Sequence, residues 1–285
     1  MITGKTKIVG LIGYPVDHSL SPLMHNAAFS ALKLDYIYIP LAVEPDHLGQ
    51  AVEGLKAMGF VGANVTIPHK VAIMPYLDEL DRSAELVGAV NTIVIRNGRC
   101  IGYNTDAQGF IQSLTSRNIT IKGKKVVIMG AGGAARAVVC GLIEHGIDQL
   151  MIGTRDAGKS QEFIELFPTA INILGCNWQE KMFTDALAQC DILVNCTPIG
   201  MSAHNEVTLP INWQVLNPSA IVCDLIYNPP MTQFLTYAES HGHIVFNGAG
   251  MLVEQGALAF ELWTDQIAPR SIMLGILGFN LSKIG

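Results

Sequence analysis

The chain has 285 residues, of which 49% are hydrophobic and 15% charged, and its formal net charge is −6. That is enough apolar material for two domains with cores of their own. The acidic balance argues against a phosphate-backbone partner such as nucleic acid. The six cysteines contain no C-x-x-C pair, so the pattern suggests neither a zinc cluster nor a disulfide framework. Free thiols fit a reducing, cytoplasmic compartment.

The chain opens with an apolar run over 8–16 that is broken by Gly10, Gly13 and Pro15. It reads as a first strand, 8–13, rather than a signal peptide. No uninterrupted apolar run reaches the ~18–20 residues of a membrane span. Ser21 followed by Pro22 reads as an N-cap and first helical residue, with the helix running to about Leu32. Residues 36–41 are aromatic and β-branched, a second strand. Pro45 opens a second helix, with Leu48, Ala51, Val52 and Leu55 on one face and Gly59 at its end. A third strand covers 60–67 and stops at Pro68. This alternation predicts a largely parallel sheet. Residues 90–96 and 100–103 read as strands joined by an Asn97-Gly98 hairpin. Thr105 and Gln108 form a T-x-x-Q capping box, with Asp106 in the first turn of the helix that follows.

The most informative stretch is KKVVIMGAGGAARA at 124–137. An apolar strand ends in a turn containing Gly130, Gly132 and Gly133, and Ala134 starts a helix. Strand, glycine turn and helix together favour a dinucleotide site over a plain tight turn, because the helix offers free N–H groups to a pyrophosphate. Further strands are expected at 125–129, 149–153, 170–174, 190–195, 220–224 and 243–246. Six strands match a complete doubly wound sheet. The chain then ends in two helices, 251–263 and 271–281, which we expect to return to the first domain.

At the end of the second strand of this half stand Thr154, Arg155 and Asp156, with Lys159 close behind. An acidic residue here suits the ribose hydroxyl of NAD, and an arginine suits the 2′-phosphate of NADP, so the residues leave both open. In NVTIPHK at 64–70, Asn64 and Thr66 alternate with apolar residues at the carboxyl end of a strand, and Lys70 follows a turn. On that stretch alone, a surface lysine and a functional one are equally good readings. Ser19 and Ser21 could hold a carboxylate at a helix start. His18 and His25 lack metal-ligand spacing, so no metal site is expected. Asn91 and Asp106 lie at element ends. Cys196 reads as a small buried residue rather than a nucleophile, and Met201 and Met251 as packing residues.

Taken together, the motifs resemble the shikimate dehydrogenase family over nearly the whole chain. They are HSLSPLMHN at 18–26, ANVTIPHK at 63–70, GAVNT at 88–92, YNTDAQGF at 103–110 and GAGGAARA at 130–137. NCTPIGM at 195–201, CDLIYNP at 223–229 and NGAGMLVEQGALAFELW at 247–263 complete the series. The resemblance implies an α/β enzyme with an N-terminal substrate-binding domain, 1–105, completed by the C-terminal helices, 247–285. A Rossmann-type domain at 106–246 would bind the dinucleotide. The implied activity is reduction of 3-dehydroshikimate to shikimate with NADPH, on the route to aromatic amino acids.

The resemblance further implies that Ser19 and Ser21 bind the substrate carboxylate. Asn64, Thr66, Asn91, Asp106 and Gln255 would hold ring hydroxyls, with Tyr227 lining the pocket. Lys70 and Asp106 would form the catalytic pair. Gly130, Ala131, Gly132, Gly133 and Ala134 would cradle the pyrophosphate, and Thr154, Arg155, Asp156 and Lys159 would meet the adenosine ribose. Leu225, Gly248 and Met251 would lie beside the nicotinamide. Thr154 and Asp156 depart from the family's Asn-Arg-Ser/Thr pattern, which leaves NAD open beside NADP. The alternatives are an NAD-preferring quinate/shikimate dehydrogenase and a non-catalytic dinucleotide sensor. The expected partner is a small-molecule substrate, with no nucleic acid and no membrane, for a monomer or homodimer.

Overall fold

The computed structural model describes residues 2–167, 171–201 and 208–278. They form two compact units. One takes the described residues through Gly109 and from Val253 onward, and the other takes Phe110–Leu252.

In the first unit the order is β1 (Lys7–Gly13), α1 (Ser21–Ala31), β2 (Tyr36–Ala42), α2 (Leu48–Ala57), β3 (Gly62–Val65) and α3 (His69–Ala72). Then come β4 (Glu79–Leu80), α4 (Arg82–Val87), β5 (Thr92–Arg96) and β6 (Arg99–Tyr103). The sheet order is β2-β1-β3-β5-β6-β4. Its β1–β2 and β1–β3 pairs are parallel, whereas β5 pairs antiparallel with both β3 and β6. The largely parallel expectation is therefore corrected to a mixed sheet. For β5 and β6 the cause is local: Asn97 and Gly98 take φ of 53° and 76°, a hairpin that reverses the chain at once.

Other expectations shift by a few residues. Pro45–His47 is a short 3₁₀ turn, and the amphipathic helix begins at Leu48, burying Leu48, Val52 and Leu55. The third strand stops at Val65, because the Thr66 carbonyl accepts the His69 N–H (2.9 Å) and turns the chain. Ser21 is not an N-cap. Leu20 holds that position, already helical in backbone (φ −84°, ψ −9°), so Ser21 lies inside the helix. The T-x-x-Q box does not form either. Asn104 Oδ1 accepts the Asp106 and Ala107 N–H groups, which leaves the Thr105 hydroxyl for other partners.

Between the units' strands runs α5 (Asp106–Thr115). The second unit continues with β7 (Lys125–Met129), α6 (Gly133–Glu144), β8 (Gln149–Thr154), α7 (Ala157–Ile164), β9 (Asn172–Asn177) and α8 (Lys181–Leu187). It goes on with β10 (Ile192–Asn195), β11 (Ile221–Asp224), α9 (Gln233–Ser240) and β12 (Ile244–Phe246). All its strands are parallel in the order β12-β11-β10-β7-β8-β9, the doubly wound order expected. The strand expected at 170–174 begins at Asn172 and runs to Asn177, where β8 pairs it residue for residue; residue 170 lies outside the described residues.

The chain ends with α10 (Ala249–Thr264) and α11 (Arg270–Ile276). Trp263 anchors α10 on the first sheet by donating Nε1–H to the Ile93 carbonyl (2.9 Å), and Tyr36 OH donates to the Trp263 carbonyl (3.2 Å). The last residues of the expected tail helix, 279–281, and the remainder to 285 lie outside the described residues. Among the described residues, no helix is long and apolar enough to cross a membrane.

Candidate active site and dinucleotide cradle

In the first unit, strand ends bring Asn64, Lys70, Asn91 and Asp106 to one place. Lys70 sits on α3, a single turn held from two sides. His69 is buried, with Nε2 2.7 Å from the Val43 carbonyl, and Val90 N–H donates to the Lys70 carbonyl (2.8 Å). The lysine backbone is thereby registered against the residue preceding Asn91. Its Nζ donates to Asp106 Oδ2 at 2.5 Å. The surface reading of Lys70 is corrected, since the pair is largely withdrawn from solvent, at 28% and 10% side-chain exposure.

Asp106 opens α5, where the helix dipole favours a carboxylate. Its other oxygen, Oδ1, accepts from Asn91 Nδ2 (2.9 Å). The orientation of the Asn91 amide is forced. The Thr105 N–H can only donate, and it does so to Asn91 Oδ1 (2.8 Å), so Nδ2 must face the carboxylate. Asn91 Nδ2 also reaches Thr105 Oγ1 (2.9 Å) and Gln255 Oε1 (3.3 Å). Asn64 joins the same network through Nδ2, which donates to the Asn91 carbonyl and to Thr92 Oγ1. Thr66 lies beyond Asn64, half-buried, its N–H bound to the Ile12 carbonyl (2.8 Å). Ser19 and Ser21 stand at the start of α1, with Ser21 N–H donating to Ser19 Oγ (3.3 Å). This arrangement presents an ammonium held by a carboxylate beside amides with little freedom left.

The second unit holds a cavity of about 760 Å³ at the carboxyl ends of β7 and β8. It is lined by Gly130, Ala131, Gly132, Thr154, Arg155, Asp156 and Lys159 and walled by Phe163, Trp178 and Cys196–Ile199. Its volume falls in the roughly 300–1,000 Å³ range of small-molecule sites. Gly130 has φ +103°, and a Cβ there would stand 2.9 Å from Thr197 Cγ2. At Gly132 and Gly133 a Cβ would meet nothing within 4 Å and would instead fill the space above the start of α6. The first N–H groups of that helix lack helical acceptors. Open space over free donors fits a pyrophosphate. Ala134 is exposed in the same first turn.

Thr154 Oγ1 donates to the Asp156 carbonyl (2.5 Å). Asp156 is the N-cap of α7, with Oδ1 accepting the Gly158 N–H (2.9 Å). One carboxylate oxygen is therefore committed to the helix, while Arg155 and Lys159 keep their charges on the cavity. Leu225 and Gly248 lie together in this unit. Gly248 N–H donates to the Ile226 carbonyl (3.0 Å), and a Cβ on Gly248 would stand 2.0 Å from the Leu225 carbonyl oxygen. Met251 is half-buried in α10, and Tyr227 is half-buried with its phenol pKa raised by burial. Met201 is 42% exposed, which corrects its reading as a packing residue. Cys196 lines the cavity, with burial pushing its thiol far up, as an inert cysteine requires. Among the described residues no cluster of His, Cys, Asp or Glu could hold a metal.

The motif reading did not single out the cavity wall at Phe163, Trp178, Thr197 and Ile199, although NCTPIGM contained part of it. It also missed Asp224. That carboxylate is 1% exposed and accepts from Asn195 Nδ2 (3.0 Å), Thr232 Oγ1 (2.7 Å) and the Ile226 N–H (3.0 Å). Asn195 in turn accepts from the N–H (2.9 Å) and hydroxyl (2.7 Å) of Thr197 on the wall. Burial pushes the Asp224 carboxyl up to about 6.

Comparison with known proteins follows the same division. Residues 11–93 match the shikimate dehydrogenase substrate binding domain, 113–207 the shikimate / quinate 5-dehydrogenase family, and 248–277 the shikimate 5'-dehydrogenase C-terminal domain. A shikimate dehydrogenase (NADP(+)) of Desulforamulus reducens is 44% identical, over 99% of this chain and 98% of that one. The chain belongs to the shikimate dehydrogenase family. A shikimate dehydrogenase solved in complex with NADP+ is 41% identical with a TM-score of 0.88, covering 100% of this chain and 98% of that one. Shikimate 5-dehydrogenase from Listeria monocytogenes, solved with shikimate and NAD, is 38% identical with a TM-score of 0.92, covering 97% of this chain and 98% of that one. This member of the family is a nicotinamide-dependent oxidoreductase, with an α/β substrate domain and a Rossmann-type domain.

Proposed function

We propose that this shikimate dehydrogenase reduces 3-dehydroshikimate to shikimate reversibly, with NADPH, through Lys70 and Asp106. The observation that carries this is the Lys70–Asp106 pair at 2.5 Å, set among the amides of Asn64 and Asn91. NADPH, when bound, supplies hydride to the substrate's keto carbon. The carbonyl oxygen then gathers negative charge, and the Lys70 ammonium gives it a proton, leaving a hydroxyl on the product and a neutral amine that recovers its proton from solvent. Help of this kind is worth roughly a hundred- to ten-thousandfold in rate. Asp106 aims Nζ and accepts from an adjacent substrate hydroxyl. Ser19 and Ser21 receive the substrate carboxylate, and Thr66, Asn91 and Gln255 surround the ring hydroxyls.

In the second unit, the N–H groups of Gly132, Gly133 and Ala134 would hold the pyrophosphate. Arg155 and Lys159 would meet a 2′-phosphate, an assignment supported by the commitment of Asp156 Oδ1 to Gly158. A pure dinucleotide sensor has no use for the Lys70–Asp106 pair. Initial rates with shikimate and quinate, each with NADP+ and NAD+, test the reading. The expected result is the highest kcat/KM for shikimate with NADP+. Turnover of quinate with NAD+ at a higher kcat/KM would replace it with the quinate reading, and no turnover of either would favour the sensor.

A further inference from the structure

The substrate reading leaves unused a buried aromatic group in the first unit. Tyr38, on β2, is 2% exposed, and its hydroxyl donates to Asn64 Oδ1 at 2.8 Å. Burial raises the phenol's pKa, so it is a neutral donor at any working pH. The ring is stacked on one face and held at its backbone. His25 stacks on it with centroids 4.5 Å apart and planes 6° from parallel. Asn26 brackets the Tyr38 peptide, accepting its N–H (2.8 Å) and donating to its carbonyl (2.9 Å). His25 itself is fully buried and held neutral, its pKa pushed down to about 3 by burial.

The consequence falls on Asn64. Its Nδ2 donates one hydrogen to the Asn91 carbonyl (3.1 Å) and the other to Thr92 Oγ1 (3.0 Å). A carbonyl can only accept, so the amide cannot be flipped, and both its hydrogens are spent. The Tyr38 hydroxyl takes one of the two acceptor sites on Oδ1. One acceptor site remains and no donor.

We propose that Tyr38 is a positioning residue that holds the Asn64 carbonyl oxygen in place as an acceptor, so that the site tells a substrate hydroxyl from a substrate ketone. A ring hydroxyl can donate to Asn64, whereas a carbonyl placed there meets a lone pair and is refused. The ketone is left to the Lys70 ammonium, the group that can donate to it. The relative placement of Asn64 and Lys70 thus sets which ring position is reduced. This inference rests on the substrate reading above and goes beyond it, because that reading gives Tyr38 no role.

The test is Tyr38→Phe, which deletes one oxygen and keeps the stacking ring. The hydrogen bond that holds Asn64 Oδ1 is lost, and KM for shikimate is expected to rise about tenfold. KM for NADP+ and kcat stay within about threefold, since neither the second unit nor Lys70 is altered. A purely structural tyrosine would lower the melting temperature and leave the KM for shikimate within about twofold of the parent, and that result overturns the proposal. A crystal structure of the unaltered enzyme with shikimate is the second measurement. The proposal requires the Tyr38 hydroxyl on Asn64 Oδ1 and a substrate hydroxyl on the remaining side of Oδ1. A direct Tyr38–shikimate hydrogen bond, or an Asn64 turned away from substrate, overturns it. Failure of the unaltered enzyme to turn over shikimate would instead sink the functional reading itself.

Discussion

The two units build their sites by opposite means. In the first, polar side chains face one another at buried strand ends, and nearly every donor has an assigned acceptor: Asn64 to Asn91 and Thr92, Asn91 to Asp106, Lys70 to Asp106. In the second, the cradle is mostly missing side chain: glycines, a helix start and an apolar wall, with charge at Arg155, Asp156, Lys159 and Glu162. A satisfied side-chain network gives geometric discrimination, because each member has one tolerated orientation. A backbone cradle accepts phosphates of any nucleotide and leaves discrimination to the few charges at its edge. Damage to the first should therefore cost turnover and substrate choice, and damage to the second should cost cofactor affinity or stability.

The largest expected effect is in the first unit. Asp106→Asn keeps the shape but removes the charge that aims Lys70, and kcat should fall roughly a hundredfold or more while KM for NADP+ holds. Steady-state rates check it, and an equal fall in cofactor affinity would erase the division between the units. In the second unit, Gly248→Ala forces a Cβ against the Leu225 carbonyl, and overpacking of this kind costs roughly 1–3 kcal/mol. A lowered melting temperature and a raised KM for NADP+ are expected, with KM for shikimate little changed.

Asp224 gives a pH test of comparable size. Its folded pKa, about 6, lies above the ordinary 3.8, so between those values the folded chain holds the proton more readily than the unfolded one. Its contribution to stability then falls as pH rises from about 4 to about 6. Relative to Asp224→Asn, the parent should lose roughly 2–3 kcal/mol across that window in denaturant titrations. Parallel stability curves would contradict the burial-raised pKa of this carboxylate. The smallest effect is at Asp156. Serine also caps helices, so Asp156→Ser should keep α7 and remove a negative charge from the cavity edge. The ratio of kcat/KM for NADPH over NADH should rise about three- to tenfold, and an unchanged ratio would mean that Asp156 does not act on the ribose end.

The same contrast explains what the sequence made legible. The second unit announces itself locally: an apolar strand, three glycines and a small-residue helix occupy fourteen consecutive residues, 124–137, and the parallel order followed. The first unit's site is assembled from residues 19 to 255, and its members pair across strands. Lys70 read equally well as a surface lysine, because nothing within its own stretch reveals that Val90 and Asp106 hold it. Tyr38 looked like an ordinary strand aromatic, since its partner Asn64 lies 26 residues away. Local capping rules failed at Ser21 and Thr105 for a related reason. Leu20 and Asn104 took over the helix starts, and the Thr105 hydroxyl went to Asn91. The family motifs carried what periodicity could not, because they mark positions whose partners are distant.

The central claim is that Lys70 does chemistry rather than binding. It is tested most directly by comparing Lys70→Ala with the parent, measuring kcat with NADP+ and, separately, the Kd for shikimate by calorimetry. The account predicts that turnover falls roughly a hundred- to ten-thousandfold while Kd changes by less than about tenfold. Turnover near that of the parent, or a loss confined to Kd, would contradict it.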